Sequence, residues 1–286
     1  MRVNKITPAI GARIQDLALA QLDEASAADL RGLLAERKVL VFPDQRLDGE
    51  QYVRFCRRFG EPSREDLQAG SDRPPEVGAI HISAGQRQTI NFWHMDHSFR
   101  ETPSAYICLY ARQLPPCGGD TLFASLEAAY EGLDEDTRTR IVGLHAEHGY
   151  TQTQNSARRY SAAEIARRSS AAPVRHPLAC LNRETGRPYL FVNTPVYCRR
   201  IVELDAAEGD PLLRDLYLHV QRPEFHFRLT WTTGMIVLWE NAHCLHYPVA
   251  DYFPHERLLW RVLIPGTAGP PAAFDPGARM NAWRNG

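Results

Sequence analysis

The chain has 286 residues, with 33 lysines and arginines against 34 aspartates and glutamates, a formal net charge of -1. That balance excludes an electrostatic case for nucleic acid or an anionic membrane surface as partner, and no apolar run approaches the roughly 20 residues of a membrane span. Six scattered cysteines with no C-x-x-C pair, and an N-terminus without the apolar core of a secretory leader, point to reduced thiols in a cytoplasmic globular protein.

In chain order, "EASAADLRGLLAERK" repeats apolar residues at three and four and ends in basic residues, the pattern of a helix. "VLVFPDQ" reads as a short buried strand stopped by Pro43, and "DGEQYVRFCRRFGEP" as a second helix closing at Gly60. From Glu65 to Gln88 the chain is polar and rich in Gly and Pro, and is expected to be loop. "TINFWHMDHSF", "AYICLYARQL" and "GDTLFAS" have strand character, and "LEAAYEGLDEDTRTRIVGL" is helical. The polar, small-residue-rich stretch from Thr151 to about residue 175 is expected to be a mobile insertion. "YLFVN", "FHFRLTW", "MIVLWEN" and "RLLWRVLIPG" then read as strands, and from Gly266 the tail looks irregular. Helices followed by many short strands point to an antiparallel barrel or jelly roll decorated by helices.

Two stretches are crowded with metal-ligand types, "NFWHMDHSFR" and "WENAHCLHYP". If the first is extended, side chains alternate between faces, so His94 and Asp96 project together while Met95 and His97 project away. One imidazole and one carboxylate make two-thirds of the facial triad that suits non-haem Fe(II). Spacing alone leaves the third ligand open between His243 and His246, and a zinc site using His94, His243 and His246 open beside it. Arg257 and Arg261 stand four apart in "ERLLWR", on one face of a strand, where a guanidinium grips a carboxylate of a 2-oxoacid better than lysine does.

These residues resemble the taurine dioxygenase family of Fe(II)/2-oxoglutarate-dependent oxygenases, over nearly the whole chain. The resemblance is carried by the order and spacing of "ITPAIGARIQDLAL", "KVLVFPDQ", "WHMDHSFRETPSAYICLYARQLPPCGGDTLFAS", "LFVN" and "WENAHCLHYPVADYFPHERLLWR". It implies a single oxygenase domain spanning residues 1–286, mainly β with flanking helices, in a double-stranded β-helix of jelly-roll, cupin-like type. It implies Fe(II) held by His94, Asp96 and His246, the last because the family's ligand histidine stands eleven positions before its 2-oxoglutarate arginine, here Arg257. Thr121 matches the threonine that shares the 2-oxoglutarate carboxylate with that arginine. Arg261 matches an arginine that in several members meets an anionic group of the primary substrate. Tyr197 falls where members place a pocket-lining residue, and Asn91 and His81 are further substrate-contact candidates. His97 and His243 match no ligand position, and no catalytic side chain beyond the metal centre is implied.

The implied activity oxidises a C–H bond of a small anionic molecule, by hydroxylation, with 2-oxoglutarate and O₂ as co-substrates and succinate and CO₂ released. Desaturation, cyclisation or heteroatom–carbon cleavage are alternative outcomes of the same chemistry. A non-catalytic metabolite-binding barrel and a zinc hydrolase are the readings from other classes. The lid-loop candidate is about 65–88, and family members often form dimers or tetramers. The chain also departs from the pattern. Glu240-Asn241-Ala242 stands where many members have Asp-Asn-Arg, and "SREDLQAGSDRPP" lacks the taurine-contacting histidine and tyrosine of the name-giving enzyme. The expected anion is therefore one other than taurine.

Overall fold

Residues 1–64, 73–150 and 162–267 are described by the computed structural model. The strands of the first half are β1 (Arg2–Lys5), β2 (Ala12–Gln15), β3 (Val39–Phe42), β4 (Gly78–Ile82), β5 (Ser104–Gln113), β6 (Thr121–Ser125) and β7 (His145–His148). Those of the second half are β8 (Val174–Pro177), β9 (Ala179–Leu181), β10 (Pro188–Leu190), β11 (Cys198–Ile201), β12 (His226–Leu229), β13 (Ile236–Glu240), β14 (Cys244–Pro248) and β15 (Arg257–Pro265). The helices are α1 (Glu24–Arg37), α2 (Gly49–Arg57), α3 (Leu126–Glu131), α4 (Glu135–Ile141), α5 (Ala162–Ser170) and α6 (Ala206–Val220).

A seven-stranded sheet runs β1-β2-β3-β13-β5-β15-β4, antiparallel except between β2 and β3. A three-stranded sheet, β12-β6-β14, faces it. Between them lie Val41, Ile107, Val237, Trp239 and Leu259 of the large sheet and Phe123, Phe227 and Leu229 of the small one. The alternate residues of the same strands, among them Leu40, Phe42, Cys108 and Leu238, pack outward against Leu30 and Leu34 of α1 and Tyr52 and Phe55 of α2. Burial on both faces is why "VLVF" and "IVLW" read as unbroken apolar runs rather than alternating ones. The outer face of the small sheet, through Ala124 and Leu245, meets α3, α6 and the residues of β9, β10 and β11. Among the described residues no helix is long and apolar enough to cross a membrane.

Local chemistry sets the helix ends. Asp23 caps α1 by accepting from the Ser26 N–H, and Asp48 and Gln51 form a reciprocal capping box on α2. At the far end of α1, Lys38 takes a left-handed backbone (φ 64°) and turns its side chain inward. Its ammonium, 1% exposed, pairs with Glu127 at 2.8 Å and Glu240 at 3.3 Å. Removing one member of a buried ion pair costs about 3–5 kcal/mol, so Lys38 ties α1, α3 and the end of β13 firmly together.

Several elements differ from the sequence expectation. Residues 78–82, expected as loop, form β4, which adds to the edge of the large sheet by pairing with β15. One helix expected over 126–144 is two, because the chain breaks after Gly132 and Asp134 caps a new start. A Cβ on Gly132 would lie 2.5 Å from the Phe225 ring, which leaves no room for a larger residue there. The described part of the expected insertion contains α5 and the start of β8. Residues 65–72, 151–161 and 268–286 of the expected lid loop, insertion and tail lie outside the described residues. Most consequential, "TINFWHMDHSF" is not a regular strand: only His94 pairs, in a single bridge.

Candidate metal centre

That bridge decides where the imidazoles go. The His94 N–H donates to the His246 carbonyl at 2.9 Å and the His246 N–H returns to the His94 carbonyl at 2.8 Å. Residues directly opposed in an antiparallel pair share a face, so the two rings stand 4.1 Å apart, centroid to centroid. On the other side His246 opposes Phe123 of β6, and the Trp239 ring packs on it at 5.2 Å, so it points between the two sheets. Two residues past His94 the alternation returns, and Asp96 Oδ1 lies 3.6 Å from His94 Nε2. Met95 points away into the core beside Trp93. One ligand atom from each of His94, Asp96 and His246 lies within 4.8 Å of the others, the one such group among the described residues.

Protonation suits a cation. The His94 Nδ1–H donates to the Phe92 carbonyl at 3.0 Å, which leaves Nε2 as the lone-pair nitrogen facing Asp96. Burial, reinforced by His94, pushes His246 down to about 3, so it is neutral at ordinary pH, and among the described residues its Nδ1 has no hydrogen-bond partner. Burial alone would raise the Asp96 carboxyl. Interactions with the His246, His94 and His97 imidazoles and the Arg261 guanidinium outweigh it and hold the group ionised, well below the usual carboxylate range. A neutral His246 and an ionised Asp96 are the forms a divalent metal requires of those two ligands. This donor set, without sulfur, fits Fe(II). The Asp96 side chain keeps 24% exposure, so the cluster opens toward solvent on its side.

The other sequence candidates fall into separate surroundings. His97 leaves the extended run with φ 62° and shares a 2.8 Å hydrogen bond with the Ser104 hydroxyl. His243 Nδ1 meets Glu240 at 3.0 Å and its ring packs edge-on against Tyr189 at 4.4 Å, so the zinc set His94–His243–His246 is not assembled. Arg257 and Arg261 alternate with Leu259 on the inward face of β15, 2% and 9% exposed. Arg257 lies under the aromatic rings of Trp231 and Tyr252, and among the described residues no carboxylate pairs with it and its Nε has no partner. A Cβ on Gly119 would come within 3.2 Å of the Arg257 side chain, and Gly119 has φ 71°, so glycine is required where the "GGDT" turn approaches the guanidinium. Thr121 follows, its hydroxyl accepting from Trp231 Nε1 at 3.0 Å. Tyr197 sits with Phe99 at 5.9 Å, and Phe99 with Tyr150 at 5.5 Å and His97 at 5.9 Å, an aromatic group on the turn after Asp96. Asn91 is exposed and accepts from the Ala250 N–H. His81 opposes Leu258, on the face opposite Arg257 and Arg261, and its ring binds Glu256 at 2.6 Å.

Residues 2–263 match the model of the taurine catabolism dioxygenase TauD, TfdA family. The chain belongs to this family. It is 31% identical over 275 residues to the (S)-phenoxypropionate/alpha-ketoglutarate-dioxygenase of Sphingobium herbicidovorans, covering 92% of this chain and 93% of that protein. It is 32% identical over 257 residues to the alpha-ketoglutarate-dependent 2,4-dichlorophenoxyacetate dioxygenase of a Burkholderia species, covering 84% of this chain and 86% of the relative. A taurine dioxygenase from Burkholderia xenovorans superposes with a TM-score of 0.80 at 29% identity, over 97% of this chain and 94% of that one. The TauD/TfdA chain described here is accordingly a 2-oxoglutarate-dependent non-haem iron dioxygenase that oxidises a small molecule, with Fe(II), 2-oxoglutarate and O₂ as cofactor and co-substrates.

Sequence reasoning missed what holds the ligand segment in place. Asn193 and Asn241, each closing an apolar run ("YLFVN", "VLWEN"), are buried and bonded to the backbone of Met95 and of Asp96 respectively. A lone polar residue at the end of a buried strand was the available signal. Trp231, which orients the Thr121 hydroxyl, had none.

Proposed function

We propose that this enzyme hydroxylates a C–H bond of a small anion bearing an apolar or aromatic body, at an iron held by His94, Asp96 and His246. The buried Arg257 guanidinium, which no carboxylate pairs among the described residues, carries this reading, because a buried cation demands an anion, and Arg261 shares its strand face. Iron bound there supplies oxygen activation coupled to decarboxylation of 2-oxoglutarate to succinate.

The chain's own residues do the rest. Arg257, a planar fork that shares Trp231 as a neighbour with the Thr121 hydroxyl, takes the far carboxylate of 2-oxoglutarate, and the Trp231 and Tyr252 rings keep that ion pair dry. Arg261 lies close enough to influence the Asp96 carboxyl. It is the candidate to orient the anionic group of the primary substrate near the metal. Phe99, Tyr150 and Tyr197 offer rings for its body. His81, turned to the opposite face, has no part in this arrangement. The relatives named for phenoxypropionate and 2,4-dichlorophenoxyacetate support an anion with an aromatic body.

Succinate release with Fe(II), 2-oxoglutarate and ascorbate, measured across aryloxy-carboxylates, alkyl sulfates, sulfonates and their neutral esters or amides, tests the proposal. Stimulation by an anion and not by its neutral isostere is expected. Equal stimulation by the neutral isostere would remove Arg261 from substrate binding.

A further inference from the structure

Asp96 sits in a segment without a strand partner beyond His94, and the job of that partner is done by side chains. Asn193 Oδ1 accepts from the Met95 N–H at 3.0 Å, and its Nδ2 donates to the Met95 carbonyl at 3.0 Å and to the Ser98 hydroxyl at 2.7 Å. Asn241 repeats this one residue on. Its Oδ1 accepts from the Asp96 N–H at 3.2 Å, and its Nδ2 donates to the Asp96 carbonyl at 2.8 Å and the Ser104 carbonyl at 3.0 Å. Asn193 is 1% exposed and Asn241 fully buried. Past the turn at His97, the His176 Nε2–H donates to the Ser98 and Arg100 carbonyls at 2.9 and 3.1 Å.

We infer that Asn241, with Asn193, is a positioning residue of the metal centre, presenting a carboxamide in place of a neighbouring strand so that the Asp96 carboxylate stays aimed at the metal. A carboxamide carries a donor and an acceptor side by side, as a peptide group does, and reads one residue's N–H and C=O together. Either amide flipped would set N–H against N–H, so the orientation is unique. Successive residues in a strand turn these groups to opposite sides, which is why two asparagines are needed, one from each flank. Asn193 follows β10 and Asn241 follows β13. The Asn241 flank is itself anchored by the Lys38–Glu240 ion pair one residue earlier. Without the clamp, nothing described pairs the backbone of residues 95 and 96, and a ligand displaced by even about 1 Å loses much of its effect.

The inference rests on Asp96 being a metal ligand, and Mn(II) titration of the oxygenase serves as the probe. Asn241→Ala and Asn193→Ala are each expected to weaken Mn(II) binding about 10- to 100-fold, with thermal melting measured in parallel. Asn182→Ala is the matched control, since Asn182 is also buried but bonds Glu127 and the Glu184 N–H rather than the backbone of residues 95 and 96. It is expected to lower the melting temperature while keeping wild-type Mn(II) affinity. Asn241→Asp, which keeps the shape and one acceptor but loses both donated bonds, carries the test if the alanine variant does not fold. Wild-type affinity in folded Asn241 variants, an equal loss in Asn182→Ala, or failure of both Asn241 variants to fold assigns Asn241 to the fold alone and overturns the inference. Asp96→Ala separates the two readings. If it too binds Mn(II) like wild type, the ligand assignment itself fails.

Discussion

Two pairs of buried histidines face each other in this protein, and their surroundings differ. His94 and His246 lie 4.1 Å apart, and Asp96 closes the third side. His148 and His176 lie 5.2 Å apart, packed on Phe191, and no carboxylate joins them among the described residues. Both pairs come from antiparallel neighbours but in different registers: His94 directly opposes His246, while His148 and His176 are diagonal on one face of β7 and β8, His148 opposing Val174 and His176 opposing Ala146. Burial pushes His148 well below the usual 6.5 and lowers His176 as well. Burial thus disfavours charge on His246, His148 and His176 alike, and what separates the two clusters is the carboxylate and the opening beside it.

Removing that carboxylate should have the largest effect. Asp96→Ala is expected to lower Mn(II) affinity and succinate formation by more than about 100-fold, leaving the pair of imidazoles chemically like the other pair. Retained succinate release in this variant would contradict the distinction. Next comes the anion anchor. Arg257→Ala truncates a buried charge at a cost of about 2–5 kcal/mol, so the KM for 2-oxoglutarate should rise at least about 30-fold with Mn(II) affinity unchanged. A rise in the metal dissociation constant instead would place Arg257 in the metal centre rather than in the co-substrate pocket.

The packing pair should speak through stability. Its folded-state pKa values lie below the unfolded value of about 6.5, so below that pH the unfolded chain binds protons the folded chain refuses. The stabilising contribution is complete above about pH 6.5 and is lost as the pH falls toward the folded values. His148→Phe is therefore expected to flatten the fall in melting temperature between pH 7 and 5, read by thermal scans. A slope as steep as wild type would show that other groups dominate acid sensitivity. The smallest effect is expected at His243. Because it serves Glu240 and Tyr189, His243→Ala should keep Mn(II) affinity within about twofold while losing some thermal stability. A tenfold weaker metal site would return it to the ligand set.

Much of this was legible in the residues. Strand alternation alone set His94 and Asp96 on one side and His97 on the other, and the apolar runs of β3, β5, β13 and β15 announced buried strands. The choice of His246 over His243 needed the family resemblance, and in the structure it is the bridge to His94 that turns His246 toward Asp96. The edge strand β4 was hidden because its residues, "GAIHI", are short, partly exposed and set in a Gly- and Pro-rich stretch, so pairing with β15 rather than composition creates it. His81 was a contact candidate by position, and only the register with Leu258 shows it facing the other way.

The sequence by itself determined the ligand types, their alternation along one segment, and the arginines spaced to share a strand face. These follow from local geometry, which a chain carries wherever it goes. Tertiary structure alone decided that past His94 this segment has no strand partner among the described residues, and that carboxamides from two distant strand ends stand in for one. Hydrogen bonds across 98 and 145 positions of chain leave no periodic trace in either partner.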